Sequence, residues 1–494
     1  MTLSNSATFA AWINPTAANN GIIINKEAEY EIARSPDGTI QWAFANSSPG
    51  WAWINTGAVA PLNQWTHIAI TYDNGVVKTY QNGALVHTYN GAGPIGDVDG
   101  NQNDFRIGGR QCCSQFFQGR IDEVKVYNRA LTASEVMSLT APYQTWNGYS
   151  FKRAITIDHN KVPNTDQSNF PLLIGGTYAY LATTANGGGV QNPNGYDVIF
   201  TSDSACSTKL NHEVETYNSA TGAVNYWVRV PTVSHVTDTV IYMCYGNSAI
   251  AASQENSAAA WDANFKAVYH LKDGTTLSMA DSTTNHALTN NGATASAGQV
   301  DGAGLFDGST QFLSAGQHAD FDWANLRTVE VWMKLGNTSQ TLPRIFSQGD
   351  GAASAWNLTW IDPATGGGAG WAGNFLVVSI GTQTTPAIER QTPDNGSINS
   401  TSLWHHVAVI GDGTTVTGIY IDGVPVTISN YSGAITNTTV SGLNIGRRNN
   451  NSRYFSGGLD EIRFSNVQRS GDWIKAEYNN QSSPATFYSI ASSP

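Results

Sequence analysis

The carboxylates Glu27, Glu29 and Glu31 stand at alternate positions, which on an extended strand puts all three on one face. Two carboxyl groups about 5 Å apart, one raised in pKa by an apolar setting, are what retaining hydrolysis of a glycosidic bond requires. The surrounding INKEAEYEIARSPDGTIQWAF also reads as a plain strand, a hairpin at Asp37-Gly38 and a returning strand, and this non-catalytic reading is the expectation. His212, Glu213 and Glu215 alternate in the same way, with the glutamates on one face and the histidine on the other; they are expected to be solvated residues of a strand edge. Adjacent Cys112 and Cys113 allow two readings: a strained ring disulfide presenting a flat sulfur face, or free thiols at a tight turn. Cys206 and Cys244 are expected to form an ordinary disulfide, and no cysteine–histidine spacing of a metal site is present. Nucleophile-elbow, zincin, phosphate-loop and dinucleotide motifs are absent.

Aromatic groups offer a different chemistry. Trp51 and Trp53 follow Pro49-Gly50, and their spacing puts both rings on one face of an extended chain. With Trp42 they form a candidate platform for the C–H face of a sugar. Trp356, Trp360 and Trp371 fall in a comparable later stretch, with Arg447, Arg448 and Tyr454 in a nearby loop. Fifteen tryptophans in a strand-rich chain also mean that many pack in cores.

These residues sit on a segment that occurs twice. QWTHIAITYDNGVVKTYQNGALV, continuing to FRIGGRQCCSQFFQGRIDEVKVYNRALTASEV, is answered by LWHHVAVIGDGTTVTGIYIDGVPV and LNIGRRNNNSRYFSGGLDEIRFSNVQRSGDWI. Trp65 pairs with Trp404, Gly83 with Gly423, Phe117 with Phe455 and Asp122 with Asp460. Copies this far apart are two domains of one fold, not a solenoid. Alternating runs ended by Asn-Gly, Asp-Gly or Gly-Gly turns predict strands joined by tight hairpins, and Thr132 with Glu135 predicts a capping box on a short helix. Between the copies, FPLLIG, YDVIFTS, HEVETYN, YWVRVP and DTVIYMCYGN predict a third, unrelated β-sandwich. The 494 residues are 13% charged with a net charge of −12, which argues against nucleic acid and anionic membrane as partners. No apolar run is long enough to span a bilayer and no signal peptide opens the chain, so Met1 reads as a cropped start within a longer, exported protein.

Both copies resemble laminin-G-like, concanavalin A-like jelly rolls, on the strand Trp65 to Ala69 (Trp404 to Ala408), the hairpin Asn82-Gly83 (Asp422-Gly423) and the closing strand Phe117 to Val124 (Phe455 to Ile462). The middle region resembles a domain of unknown function of exported bacterial and archaeal proteins, on YDVIFTS, HEVETYN, YWVRVP, Tyr245 to Asn247 and WDANFKAVYHL. The resemblance implies an all-β chain of three β-sandwich domains: a jelly roll over 1–141 lacking its front strands, a β-sandwich over 146–262 and a second jelly roll over 263–494. The Glu27 to Glu31 run is similar to the E-x-D-x-E signature of laminarinase-type hydrolases, but Glu29 stands where that family has Asp.

What the resemblance implies about function is an extracellular or cell-surface, non-catalytic protein that binds a polysaccharide or surface glycan. The expected ligand residues are Trp42, Trp51, Trp53, Cys112, Cys113, Trp356, Trp360, Trp371, Arg447, Arg448 and Tyr454. A structural Ca2+ is expected at Asp281 and Asn285, with Asp460 completing the site. An adhesin stalk or filament subunit that pairs with copies of itself is the alternative, and a glycoside hydrolase is a second one.

Overall fold

The computed structural model describes residues 3–491 except 101–103, 111–113, 141–145, 273–276, 351–354, 362–374, 383–384, 394–397, 432–438 and 450. The chain forms two compact units, Met1–Gln144 and Thr145–Pro494.

Period-2 alternation in the first unit becomes two five-stranded sheets. The strands are β1 (Ser6–Pro15), β2 (Gly21–Lys26), β3 (Tyr30–Arg34), β4 (Thr39–Phe44), β5 (Ile54–Val59), β6 (Thr66–Asp73), β7 (Val76–Gln81), β8 (Ala84–Asn90), β9 (Phe105–Ile107) and β10 (Gly119–Tyr127). They order as β10-β1-β6-β7-β8 and β5-β4-β3-β2-β9. Phe9, Ile13, Tyr30, Ile32, Trp42, Phe44, Ile70 and Tyr72 fill the space between them. The Asn82-Gly83 turn has φ of 49° and 79°, the left-handed pair that a two-residue hairpin needs. Helix α1 (Ala133–Leu139) carries the predicted capping box between Thr132 and Glu135.

The middle sandwich contains β11 (Phe151–Ile157), β12 (Gln167–Thr177), β13 (Ile199–Thr201), β14 (His212–Tyr217), β15 (Ala223–Val233) and β16 (Thr239–Tyr245), followed by the single turn α2 (Ser257–Ala260). Cys206 and Cys244 are disulfide-bonded, as expected, with Cα atoms 6.2 Å apart.

The second jelly roll begins with a front part: β17 (Phe265–Tyr269), β18 (Thr289–Asn291), β19 (Thr294–Ala297), β20 (Gly302–Asp307) and β21 (Phe312–Gly316). The repeated frame follows as β22 (Thr328–Leu335), β23 (Arg344–Asp350), β24 (Ala355–Ile361), β25 (Phe375–Thr382), β26 (Thr385–Gln391), β27 (His405–Gly411), β28 (Val416–Ile421), β29 (Val424–Val426), β30 (Ser429–Tyr431), β31 (Thr439–Ile445) and β32 (Ser456–Ser465). One sheet orders β19-β20-β32-β22-β27-β28-β29, with β17 also on β32; the other orders β18-β21-β31-β23-β24-β25-β26-β30. The front strands therefore extend the edges that β10 and β9 occupy in the first copy.

One expectation needs correction. The second jelly roll does not run to the end of the chain, because the segment after β32 returns to the middle sandwich. Helix α3 (Gly471–Ser482), capped by the Ser470 hydroxyl, and the turn α4 (Pro484–Phe487) lead into β33 (Tyr488–Ile490), which pairs with β11. Asn480 on α3 accepts from the Leu173 N–H (2.7 Å) and donates to its carbonyl (3.0 Å). Trp473, Ile474 and Phe487 enter the same core as Phe170, Trp227 and Val228, and so do Val268 and Ala408 of the jelly roll. The middle sandwich is thus completed by residues about 300 positions later and shares its core with the neighbouring domain.

Candidate functional site

Two regions bring polar side chains together in the second unit. The first is a cleft of about 740 Å³ at one end of the second jelly roll. The end of β20 supplies Asp307 and the loop after it Ser309, the loop after β22 supplies Asn337, Ser339 and Gln340, and the loop between β31 and β32 supplies Arg448, Ser452, Arg453 and Tyr454. Buried Gln340 ties these loops, donating to the Asn337 and Ser456 carbonyls (2.8 and 2.9 Å) and accepting from the Ser456 N–H (2.7 Å). Arg453, held at φ 58°, donates to the Thr341 carbonyl at 3.2 Å. Among the described lining residues Asp307 is the single carboxylate, and its oxygens accept from the N–H groups of Ser309, Thr310 and Gln311 and the hydroxyls of Ser309 and Thr310. That carboxylate is a turn anchor, and no second acid is among the described residues of the lining. The cleft therefore offers two guanidinium groups, a phenol, amides and hydroxyls, a set that binds sugar hydroxyls and anions.

Of the residues expected from the sequence, Arg448 and Tyr454 line this cleft. Arg447 instead lies over the Phe312 ring, 3.3 Å from its centroid, and donates to Asn451. Trp42, Trp356 and Trp360 are fully buried and are corrected from ligand residues to core. The indole N–H groups of Trp356 and Trp360 donate to the carbonyls of Phe321 (2.8 Å) and Ile398 (3.1 Å). Trp51 and Trp53 stay on the surface, 39% and 42% exposed. Trp371, Cys112 and Cys113 lie outside the described residues. Asn337, Ser339, Gln340 and Arg453 carry no local signal, because nothing in the sequence joins a loop at 307–309 to one about 30 residues later and another more than 100 residues beyond that.

The three-carboxylate face is also corrected. Glu27-Ala28-Glu29 is the turn between β2 and β3, with Ala28 at φ 65°, so the three side chains do not line one strand. Glu29 pairs with Lys26, while Glu27 and Glu31 converge on Arg110, whose guanidinium lies 2.8 Å from Glu31. Burial pushes the Glu31 carboxyl up to about 7, with Arg110 opposing and Glu27 adding to the rise.

Of the residues expected to hold Ca2+, Asp281 does not fit a cation. One oxygen of Asp281 accepts from the N–H groups of Val268 and Thr283 (2.9 Å each). The other accepts from the Thr283 hydroxyl and the N–H groups of Asn285 and His286 (2.8, 3.1 and 2.8 Å). Five donors occupy the roughly four lone-pair positions of the carboxylate. Asn285 donates its amide to Thr283, and Asp460 accepts from the N–H groups of Gln299 and Val300 (2.8 and 2.9 Å). Among the described residues, no group of three or more acidic or histidine ligands contains Asp281 or Asp460.

The second region overturns the solvated reading of Glu213 and Glu215. Both are buried where the middle sandwich meets the second jelly roll. His270, just after β17, donates or accepts at Nδ1 with Glu461 Oε1 (2.6 Å) and at Nε2 with Glu213 Oε2 (3.3 Å), and its Nδ1 lies 3.8 Å from Glu215 Oε2. Trp227 stacks on its ring, with centroids 5.5 Å apart, and Trp261 lies 5.7 Å away. Arg463 donates to Glu461 (2.6 Å) and Glu477 (2.8 Å) with its guanidinium over both tryptophans. Burial would raise Glu213, but His270, Ser282 and Trp261 outweigh it and hold the carboxyl at about 2. Burial raises Glu215 to about 8 against the pull of His270, with Glu461 adding to the rise. For His270 the penalty of burial is overcome by Glu461, Glu213 and Glu215, which keep it well above its ordinary value.

The family matches agree with this architecture. The profile of the concanavalin A-like lectin/glucanases superfamily matches residues 1–137 and 306–475, more than half of the chain. The chain belongs to this superfamily. Residues 194–284 match a domain of unknown function (DUF2341), which lies between the two superfamily domains. Comparison with curated proteins gives no match. Among solved structures, domain 4 of a GH43 extracellular arabinanase from Geobacillus stearothermophilus, in complex with arabinotriose, is 18% identical; the likeness covers 44% of this chain and 98% of that one, with a TM-score of 0.31. The CBM40 of Ruminococcus gnavus IT-sialidase bound to α2,3-sialyllactose is 18% identical over 28% of this chain and 84% of its own, with a TM-score of 0.26. A native heptameric SAP-like pentraxin from Limulus polyphemus is 19% identical over 28% of this chain and 71% of its own, with a TM-score of 0.22. Among the described residues, no helix of this superfamily member is long and apolar enough to cross a membrane.

Proposed function

We propose that this lectin-superfamily chain is an extracellular or cell-surface protein that binds a polysaccharide or surface glycan without cleaving it. The observation that carries this is the composition of the cleft in the second jelly roll. Its guanidinium groups, phenol, amides and hydroxyls suit hydrogen bonding to a sugar, whereas its one carboxylate is capped by five donors and cannot serve as half of an acid–base pair. Arg448 and Arg453 favour a glycan that carries carboxylate or sulfate groups. Exposed Trp51 and Trp53 give the first unit a separate stacking surface, and two weak sites on one chain raise avidity when a polymer spans both. The test is binding of the purified chain to neutral and acidic polysaccharides, with Tyr454→Ala and Trp51→Ala as site-specific variants. Loss with Tyr454→Ala assigns the cleft, loss with Trp51→Ala alone moves the site to the first unit, and hydrolysis of any bound polymer removes the non-catalytic reading.

A further inference from the structure

The buried cluster between the middle sandwich and the second jelly roll has more negative groups than its cations can balance. Glu213, Glu215, Glu330, Asp460, Glu461 and Glu477 are each at most 8% exposed, and among the described residues the cations acting on them are Arg463, His270 and Arg469, the last of which is also paired with Asp262. Lys272 reaches the same strand, but its ammonium donates to the backbone carbonyl of Glu215 (2.9 Å). Isolated carboxylates taken out of water cost several kcal/mol each, so such an excess must be neutralised by protons or by a cation.

The way each group is held separates these two possibilities. Glu215, His270 and Glu461 bring one ligand-type atom apiece within 4.8 Å of one another. Each is fixed through a different atom. Glu461 Oε2 accepts from Arg463 (2.6 Å), leaving Oε1 turned to His270. His270 Nε2 faces Glu213, and Glu213 is itself locked by the Trp261 indole (2.7 Å) and the Ser282 hydroxyl (2.6 Å). Glu215 Oε2 accepts from the Trp227 indole (2.7 Å), while its Oε1 is buried without a hydrogen-bond partner. A carboxylate on the far nitrogen of a histidine, with outer partners on the carboxylates, is the arrangement that orients ligands around a metal ion. Glu461 also sits at φ 48° on the β32 bulge, a backbone state that aims its side chain away from the regular pleat.

We propose that Glu215, His270 and Glu461 form a closed structural site for a divalent cation that accepts mixed nitrogen and oxygen ligands, Zn2+ or Mn2+, joining the middle sandwich to the second jelly roll. One imidazole with two carboxylates suits these ions better than Ca2+, which takes oxygen ligands almost exclusively. The ion supplies positive charge between the buried Glu215 and Glu461 carboxylates. Ligands come from both domains, so the ion binds only when they are docked, and its binding energy becomes docking energy.

The experiment is metal analysis of the full chain purified without a metal-affinity step, followed by thermal unfolding of the stripped protein with Zn2+ alone and Mn2+ alone. His159→Gln serves as background, because Asp158, His159 and Asp238 form another group of potential ligands on the surface. The expected result is about one tightly held ion per chain, a higher unfolding temperature of the second unit on reloading, and loss of both in Glu215→Gln. Proton release on reloading the wild-type chain gives a reading that does not depend on whether the variant folds. A chain that holds no ion as purified and shows neither a thermal shift nor proton release with either cation overturns the proposal and leaves a network neutralised by protons.

Discussion

The two jelly rolls carry the same pair on the same strand in opposite surroundings. In the first, Glu123 and Lys125 on β10 lie 2.8 Å apart with side chains 37% and 41% exposed. In the second, Glu461 and Arg463 on β32 occupy the equivalent positions 2.6 Å apart and are buried beneath the middle sandwich. The backbone hardly differs. Glu123 and Glu461 both sit in the left-handed region, at φ 50° and 48°, and the register slips at the same place, between Ala10 and Trp12 and between Glu330 and Trp332. What differs is what covers the strand. Arg serves the buried copy because its planar guanidinium can satisfy Glu461 and Glu477 while stacking on Trp227 and Trp261, which a lysine ammonium cannot do.

This contrast sets the largest expected effect. Arg463→Met strands Glu461 and Glu477 in the interior and is expected to destabilise the second unit by about 3–5 kcal/mol, whereas Lys125→Met changes the first by no more than ~1 kcal/mol. Urea unfolding of the two variants measures both, and comparable losses would mean that burial of the pair does not matter.

Acid should act on both copies alike. His67 and His406 occupy equivalent strands, each beside a tryptophan ring at 5.3 Å, and burial lowers both to about 4. The unfolded chain binds a proton near pH 6.5 that the folded chain refuses until about pH 4. Stability is therefore full above pH 6.5 and falls between 6.5 and 4, by up to about 3 kcal/mol for each histidine. Unfolding midpoints across this window, with His67→Gln and His406→Gln as controls, would show the slope flattening in the unit that carries the substitution.

A smaller and equal effect is expected at the shared hairpin. Gly83→Ala and Gly423→Ala force a Cβ onto φ of 79° and 70°, where each would also meet a flexible side chain at 2.6 and 2.8 Å. Each should cost roughly 1–2 kcal/mol by calorimetry. A large difference between them would show that the two turns are not equivalent.

The frame of the molecule was legible because its signals are local. Strand alternation, Asn-Gly and Asp-Gly turns and the Thr132 capping box depend on residues within four positions, and the repeat placed both jelly rolls. Burial was not legible. Glu213 and Glu215 alternate as solvated residues would, and only Trp261, His270 and Glu461, from 46 to 248 positions further on, turn that face into an interior. Trp42, Trp356 and Trp360 are indistinguishable in sequence from Trp51 and Trp53 for the same reason, since an indole suits both a core and a sugar platform. The pair that stayed exposed follows the Pro49-Gly50 turn. Asp281 resembled a metal ligand in type and spacing, but the N–H groups of its own loop claimed its oxygens first.

The most direct test of the account is the affinity of the wild-type chain, Tyr454→Ala and Arg453→Ala for an acidic polysaccharide and its neutral analogue. Saturable binding is expected that prefers the acidic polymer, weakens in Tyr454→Ala and loses the preference in Arg453→Ala, with no release of reducing sugar. Equal binding by all three proteins, or cleavage of the polymer, would contradict it.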